Sequence, residues 1–231
     1  MRILGIVPAR KGSKRVIGKN VRPLAGKPLC RWALDAATGA TSVTKWVVSS
    51  DDERVLEIAA SYPGVLPILR PEELASDTAP AIAYVRHALA TVAPETFDAF
   101  CIVQPSSPLT LPEDIDGTVR LLVESGADTA VSVVELDHAV HPVKMKVMDG
   151  DKLLPFLEDE RGRMAAHELP RVFVRNCSVY VSKVSVLDRF GSVIGGDQRG
   201  YVMPPERSVD INVELDLTIA EVLLGKSGRA G

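Results

Sequence analysis

The chain is 231 residues long, 46% hydrophobic and 25% charged, with a net charge of −3. That is the composition of an ordinary water-soluble domain with enough chain for a sizeable core, and its mild acidity argues against a general nucleic-acid binder. No apolar run approaches 18 residues and no secretory leader pattern is present, so a membrane span is not expected and a cytoplasmic location is.

A short apolar run (Ile3, Leu4, Ile6, Val7) predicts a buried strand ending at Pro8. The following loop carries Arg10, Lys11, Lys14, Arg15 and Lys19, with Gly12 and Gly18 between them. Residues 1–31 hold nine Lys or Arg and no Asp or Glu, so the formal charge is +9 there and −12 over the other 200 residues. Cations and glycines at the carboxyl end of a strand suit a phosphate-rich anion, because glycine lets the backbone approach while the cations offset charge. A solvated basic loop is the plainer alternative. The loop is not a P-loop: five residues separate Gly12 from Gly18, and Asn20 stands where Ser or Thr should follow the lysine. The pattern PAR-x-GSKR-x-x-x-KN, with GKPL at 26–29, resembles the start of the acylneuraminate cytidylyltransferases, the CMP-sialic acid synthetase family. The resemblance implies a nucleotide site in which Ala9, Arg10, Gly12, Ser13, Lys14, Lys19 and Asn20 surround CTP, with Arg10 and Lys19 catalytic.

Further along, Pro28 can begin a helix, with Leu29, Trp32, Ala33 and Ala36 on one face. Residues 45–49 read as a second strand, and Ser50-Asp51-Asp52-Glu53 as a capping box whose acids start a helix. Residues 65–69 predict a third strand. The stretch RPEELASDTA at 70–79 again resembles the family and implies that Arg70 contacts the nucleotide base and that Thr78 belongs to the nucleotide site. Ile82, Val85, Leu89 and Val92 make a helix face, and 97–103 a fourth strand. Then comes QPSSPL at 104–109, similar to the family's QPTSPL; this implies that Gln104 and Ser106 face the sugar. Thr110-Leu111-Pro112-Glu113 reads as another capping box, and 128–134 as a fifth strand. The alternation predicts an α/β fold: a mostly parallel, doubly wound sheet with helices on both faces.

Over residues 136–171 the pattern breaks into polar chain with short apolar pieces. The resemblance implies one nucleotidyltransferase domain over 1–231 with an inserted arm here that pairs a homodimer, and its HP-x-K match places Lys144 near the substrate. Residues 172–181 return as a strand, where Asn176 matches the family's sugar-contacting asparagine and Cys177 replaces a glycine. The family's carboxylate-gripping arginine is out of register: Arg163 and Arg171 are the nearest cations. At the carboxyl end, Asp210-Ile211-Asn212 stands for the family's DID, implying that Asp210 and Asn212 hold Mg²⁺; an Asn before a helix is also an ordinary N-cap. Three cysteines, Cys30, Cys101 and Cys177, sit singly in apolar runs and predict buried free thiols. The implied reaction transfers CMP from CTP to the anomeric hydroxyl of an acidic 2-keto sugar, sialic acid or a related nonulosonic acid, and releases pyrophosphate. A different acceptor (Kdo, legionaminic, pseudaminic or a smaller acid) and a non-catalytic nucleotide-binding paralogue are the other readings.

Overall fold

A computed structural model describes residues 1–157 and 169–229. In chain order the strands are β1 (Ile3–Pro8), β2 (Pro23–Leu24), β3 (Lys27–Pro28), β4 (Lys45–Ser50), β5 (Val65–Leu69), β6 (Ala99–Val103), β7 (Thr129–Glu135), β8 (Lys146–Asp149), β9 (Lys152–Pro155), β10 (Phe173–Lys183) and β11 (Gln198–Val202). The helices are α1 (Leu29–Gly39), α2 (Glu53–Ala60), α3 (Ala81–Thr91), α4 (Pro112–Ser125), α5 (Ser185–Phe190) and α6 (Glu214–Lys226). Seven strands form one sheet in the order β11-β7-β10-β6-β1-β4-β5. Every neighbour pair is parallel except those made by β10, which runs antiparallel to both β6 and β7.

The strand sequences decide which side chains face which layer. Ile3, Val7, Trp46, Val48, Cys101 and Val103 pack with α1, α2 and α4, whereas Leu4, Ile6, Val47, Phe100 and Ile102 pack with α3 and α5. The period of two along near-continuous apolar runs is what a sheet covered on both faces requires. A third cluster joins α6 to Leu24, Leu29, Trp32 and Leu109, which carries the end of the chain back to its beginning. Gly5 lies opposite Trp46 across the β1–β4 pair, and a Cβ built there would stand 2.1 Å from an indole carbon. Gly5→Ala is therefore expected to destabilise the protein by about 1–3 kcal/mol, the usual range for overpacking, read as a lower urea midpoint at unchanged m-value.

Some local expectations need correction. The cap of α4 is Leu111, not Thr110: Asp114 Oδ2 accepts from the Leu111 amide at 3.0 Å, while the Thr110 hydroxyl donates to the Ser107 carbonyl at 2.8 Å. Asp52 does cap α2, but Asp51 accepts from the Lys11 amide at 2.7 Å and so supports the basic loop. Asn212 is not the N-cap of α6; Val213 is, and Asp216 accepts from both the Asn212 and Val213 amides. Cys30 and Cys101 are buried free thiols, Cys30 pushed up to about 11 and Cys101 further by burial, but Cys177 is only half-buried. Within residues 136–171, β8 and β9 form a hairpin whose strand residues are all exposed; 158–168, and Arg163 with them, lie outside the described residues.

Candidate active site

The carboxyl ends of parallel strands form the rim on which open α/β sheets bind ligands, and here four segments meet there. The loop after β1 bends through Gly18, left-handed at φ 62°, into a 3₁₀ turn at Lys19–Val21. Ala9 is buried beneath it, its amide donating to the Ser49 carbonyl and its own carbonyl accepting from the Ser50 hydroxyl. Buried Asn20 donates to the Arg10 carbonyl at 2.8 Å, folding the loop back on itself. Lys19 Nζ donates to the Ile211 carbonyl at 2.9 Å, and Arg15 donates to Asn212 Oδ1 at 3.2 Å. The two ends of the chain are thus joined across the cleft. Burial lowers the Lys19 pKa from its ordinary value; Asp210 opposes that shift, and Arg15 and Arg10 add to it.

The cleft encloses about 290 Å³ and is lined by Arg10, Ser13, Lys19, Arg70, Asp77 and Gln104, among others. Arg70, from the end of β5, is 5% exposed; its guanidinium donates to the Ser49 hydroxyl at 3.0 Å and carbonyl at 2.7 Å and lies over the Tyr84 ring, 4.7 Å from its centroid. Burial lowers the Arg70 pKa and raises the Tyr84 phenol to about 12. Asp77 joins Arg10 at 2.5 Å and also pairs with Lys14, and these two hydrogen bonds hold its carboxyl below the usual range. Ser106 lines the floor, and its carbonyl accepts from the Ile211 amide at 2.8 Å. Gly12 lies on the outer side of the loop, and Thr78 is exposed beside the cleft rather than among its lining.

Asp210 and Asn212 cross the mouth of the cleft. Asn212 Nδ2 donates to Asp210 Oδ2 at 2.8 Å, so the amide and the carboxylate are already in register. Among the described residues no three His, Cys, Asp or Glu side chains gather as a metal cage. A single carboxylate beside a cationic loop does fit Mg²⁺, which takes one or two carboxylates and completes its shell with phosphate oxygens and water. Asn176 is buried behind the wall, accepting from the Ser132 hydroxyl at 2.6 Å and donating to the Ser208 hydroxyl at 2.9 Å. Lys144 lies apart from the cleft lining, 3.0 Å from His138 Nδ1. Arg171 is committed to Glu135 through two guanidinium hydrogen bonds of 2.8 and 2.5 Å.

The sequence reading missed Asp77, Arg15, Tyr84 and Ser49 as site residues. Asp77 could have been found, because it lies within the RPEELASDTA stretch at 70–79 that the sequence already singled out. Ser49 and Tyr84 carry no local signal, because their role is to hold Arg70.

A cytidylyltransferase family model matches residues 4–161. CMP-N,N'-diacetyllegionaminic acid synthase of Legionella pneumophila is 32% identical over 97% of this chain and 97% of its own length. N-acylneuraminate cytidylyltransferase of Escherichia coli is 28% identical over 99% of this chain, which spans only 53% of that protein. The structure of a CMP:2-keto-3-deoxy-manno-octonic acid synthetase complexed with CTP superposes with a TM-score of 0.72 at 17% identity, covering 98% of this chain and all of the other, a likeness of fold. With a cationic loop, a strand-end cleft and a carboxyl-terminal acid in one place, and relatives matched over nearly its full length, the chain belongs to the cytidylyltransferase family and is a CTP-dependent nucleotidyltransferase.

Proposed function

We propose that the protein transfers CMP from CTP to the anomeric hydroxyl of an acidic 2-keto sugar of the nonulosonic class. The observation that carries this reading is the meeting of Lys19 and Arg15 with the 210–212 segment, 192 and 197 residues away in sequence. Arg10 and Lys14 hold the β- and γ-phosphates once Asp77 yields them, and Lys19 faces the charge that grows at the α-phosphate. Arg70, held rigid by Ser49 and Tyr84, meets the base, with Ala9, Gly12, Ser13, Asn20 and Thr78 around the nucleotide. Gln104 and Ser106 orient the sugar, and a sugar hydroxyl can compete with Ser208 for the Asn176 amide. The hydroxyl oxygen bonds to the α-phosphorus, the bond to the bridging oxygen breaks, pyrophosphate leaves and the hydroxyl proton passes to solvent. Asp210, steadied by Asn212, would hold Mg²⁺, which when bound neutralises phosphate charge and acidifies a coordinated hydroxyl. Chemistry of this kind rests mostly on positioning and charge neutralisation.

Labelled CTP, MgCl₂ and a panel of acidic sugars test the reading: a nonulosonic acid is expected to release pyrophosphate, and CTP binding with no turnover of any acid would overturn it. Triphosphate charge should raise the depressed Lys19 pKa, so CTP binding takes up protons at alkaline pH below the ordinary lysine value of about 10.4, and affinity falls as pH rises through that window. Calorimetry in two buffers of different ionisation enthalpy reads this uptake, and Lys19→Met should abolish it.

The protein is proposed to act as a homodimer in the cytoplasm. On the exposed hairpin, Val147 and Leu154 lie on one face and Met148 and Leu153 on the other, and a second copy would cover one of these apolar faces, bringing Lys144 toward its partner's site. Among the described residues no helix is long and apolar enough to cross a membrane.

A further inference from the structure

A second cavity of about 350 Å³ adjoins the nucleotide cleft and shares Ala81, Tyr84 and Gln104 with it. Its walls are otherwise Ile102, Val174, Cys177, Tyr180, Val193 and Ile194, and one cation, Arg175, stands at its edge. Among the described residues the exposed Arg175 side chain makes no hydrogen bond, ion pair or ring contact, although cations elsewhere around the site have partners: Arg10 and Lys14 with Asp77, Arg70 with Ser49, Arg171 with Glu135. An arginine at an apolar pocket without a counter-ion is suited to a planar carboxylate, which its guanidinium can grip bidentately.

The backbone supports this placement independently. The β10–β7 register breaks between Arg175 and Tyr180, and Cys177 inside the break has φ 62°, a left-handed conformation that a residue with a Cβ adopts at a cost. No core cluster includes Cys177, so packing does not account for the strain. Bulges re-aim side chains beside active sites, and strain held by surrounding structure marks such places. Arg175 is the last residue paired with β7, opposite Val133, before the break, and the break brings Cys177 and Tyr180 onto the same cavity.

We infer that Arg175 binds the carboxylate of the acidic acceptor in this second cavity, making it the residue that selects an acid over a neutral sugar. The inference rests on the proposed acceptor class. The test compares wild type, Arg175→Ala and Arg175→Lys on a nonulosonic acid and on its methyl ester. Arg175→Ala is expected to raise KM for the acid by roughly 10–100-fold, the scale of a lost hydrogen-bonded charge contact, with KM for CTP unchanged. Arg175→Lys should recover part of the loss, and the ester should bind the wild type and Arg175→Ala alike. An unchanged KM for the acid, or equal losses for acid and ester, would overturn the assignment while leaving the transferase reading intact. A wild-type control that turns over no acidic sugar would defeat both.

Discussion

Replacing Lys19 by methionine is expected to slow nucleotidyl transfer by roughly 10²–10³, the scale of one preorganised electrostatic contact at a centre where charge develops. The methionine keeps the length and apolar stem of the side chain but would leave the α-phosphate, in the proposed arrangement, without its cation. Lys19 is preorganised in a specific sense. It is half-buried, its amine is fixed by the Ile211 carbonyl at 2.9 Å, and burial has already lowered its pKa. A triphosphate therefore meets a desolvated cation whose orientation is set before binding. The loss should appear mainly in kcat, because in the proposed arrangement Arg10 and Lys14 would still hold the outer phosphates. Losing the bond to Ile211 should cost only about 1 kcal/mol of stability, so a folded variant is available for assay. Steady-state kinetics at saturating CTP would check it, and a wild-type kcat would remove Lys19 from the reacting centre.

Arg207→Met is expected to lower the unfolding free energy by about 3 kcal/mol, the lower end of the range for breaking a buried ion pair. Asp114 is fully buried at the start of α4, where its carboxylate accepts from Arg207 at 3.0 and 2.7 Å and from the Leu111 amide at 3.0 Å. Without the arginine, a buried carboxylate would keep one backbone donor. The lower end applies because the Arg207 side chain is 29% exposed and has surrendered only part of its hydration. Arg207 also pins the segment that continues through Ser208, the partner of Asn176, to Asp210. The variant should therefore bind Mg²⁺ and CTP more weakly as well. Urea unfolding is the measurement, and replacing both Asp114 and Arg207 by leucine should restore much of the loss, because no charge is then stranded. A wild-type midpoint for Arg207→Met would show that the pair adds nothing.

The cation-rich loop, strands β1, β4, β5, β6 and β7 and helices α1 to α4 were legible because each carries a local signal (an apolar run, a helical face, a glycine or proline at a boundary), whereas the two-residue strands β2 and β3 were not read. The edge strand β11 and the short α5 were not read, nor was the direction of β10. Strand β11 is half exposed and holds Gln198, Arg199 and Gly200, so its own residues do not mark it as a strand; pairing with β7 makes it one. The orientation of β10 follows from the long connection before it, whose path no periodicity encodes. Capping was misplaced at Thr110 and Asn212 for a related reason. In both helices an acid at the third position reaches back to the cap backbone, leaving the residue expected to cap free for other bonds.

By itself the sequence determined the family and the basic loop, and it proposed Arg10, Lys14, Lys19, Arg70, Gln104 and Asp210 as contacts, because these lie in short contiguous motifs whose chemistry is set by residue type. Only the tertiary structure decided that Asp77 pairs with two of the loop's five cations, that Ser49 and Tyr84 fix Arg70, that Arg171 is taken by Glu135 and that Arg175 stands at the edge of a second cavity. Those facts depend on which distant segments the sheet order sets side by side. Burial and charge pairing across the fold are properties of that arrangement and not of any local run of residues.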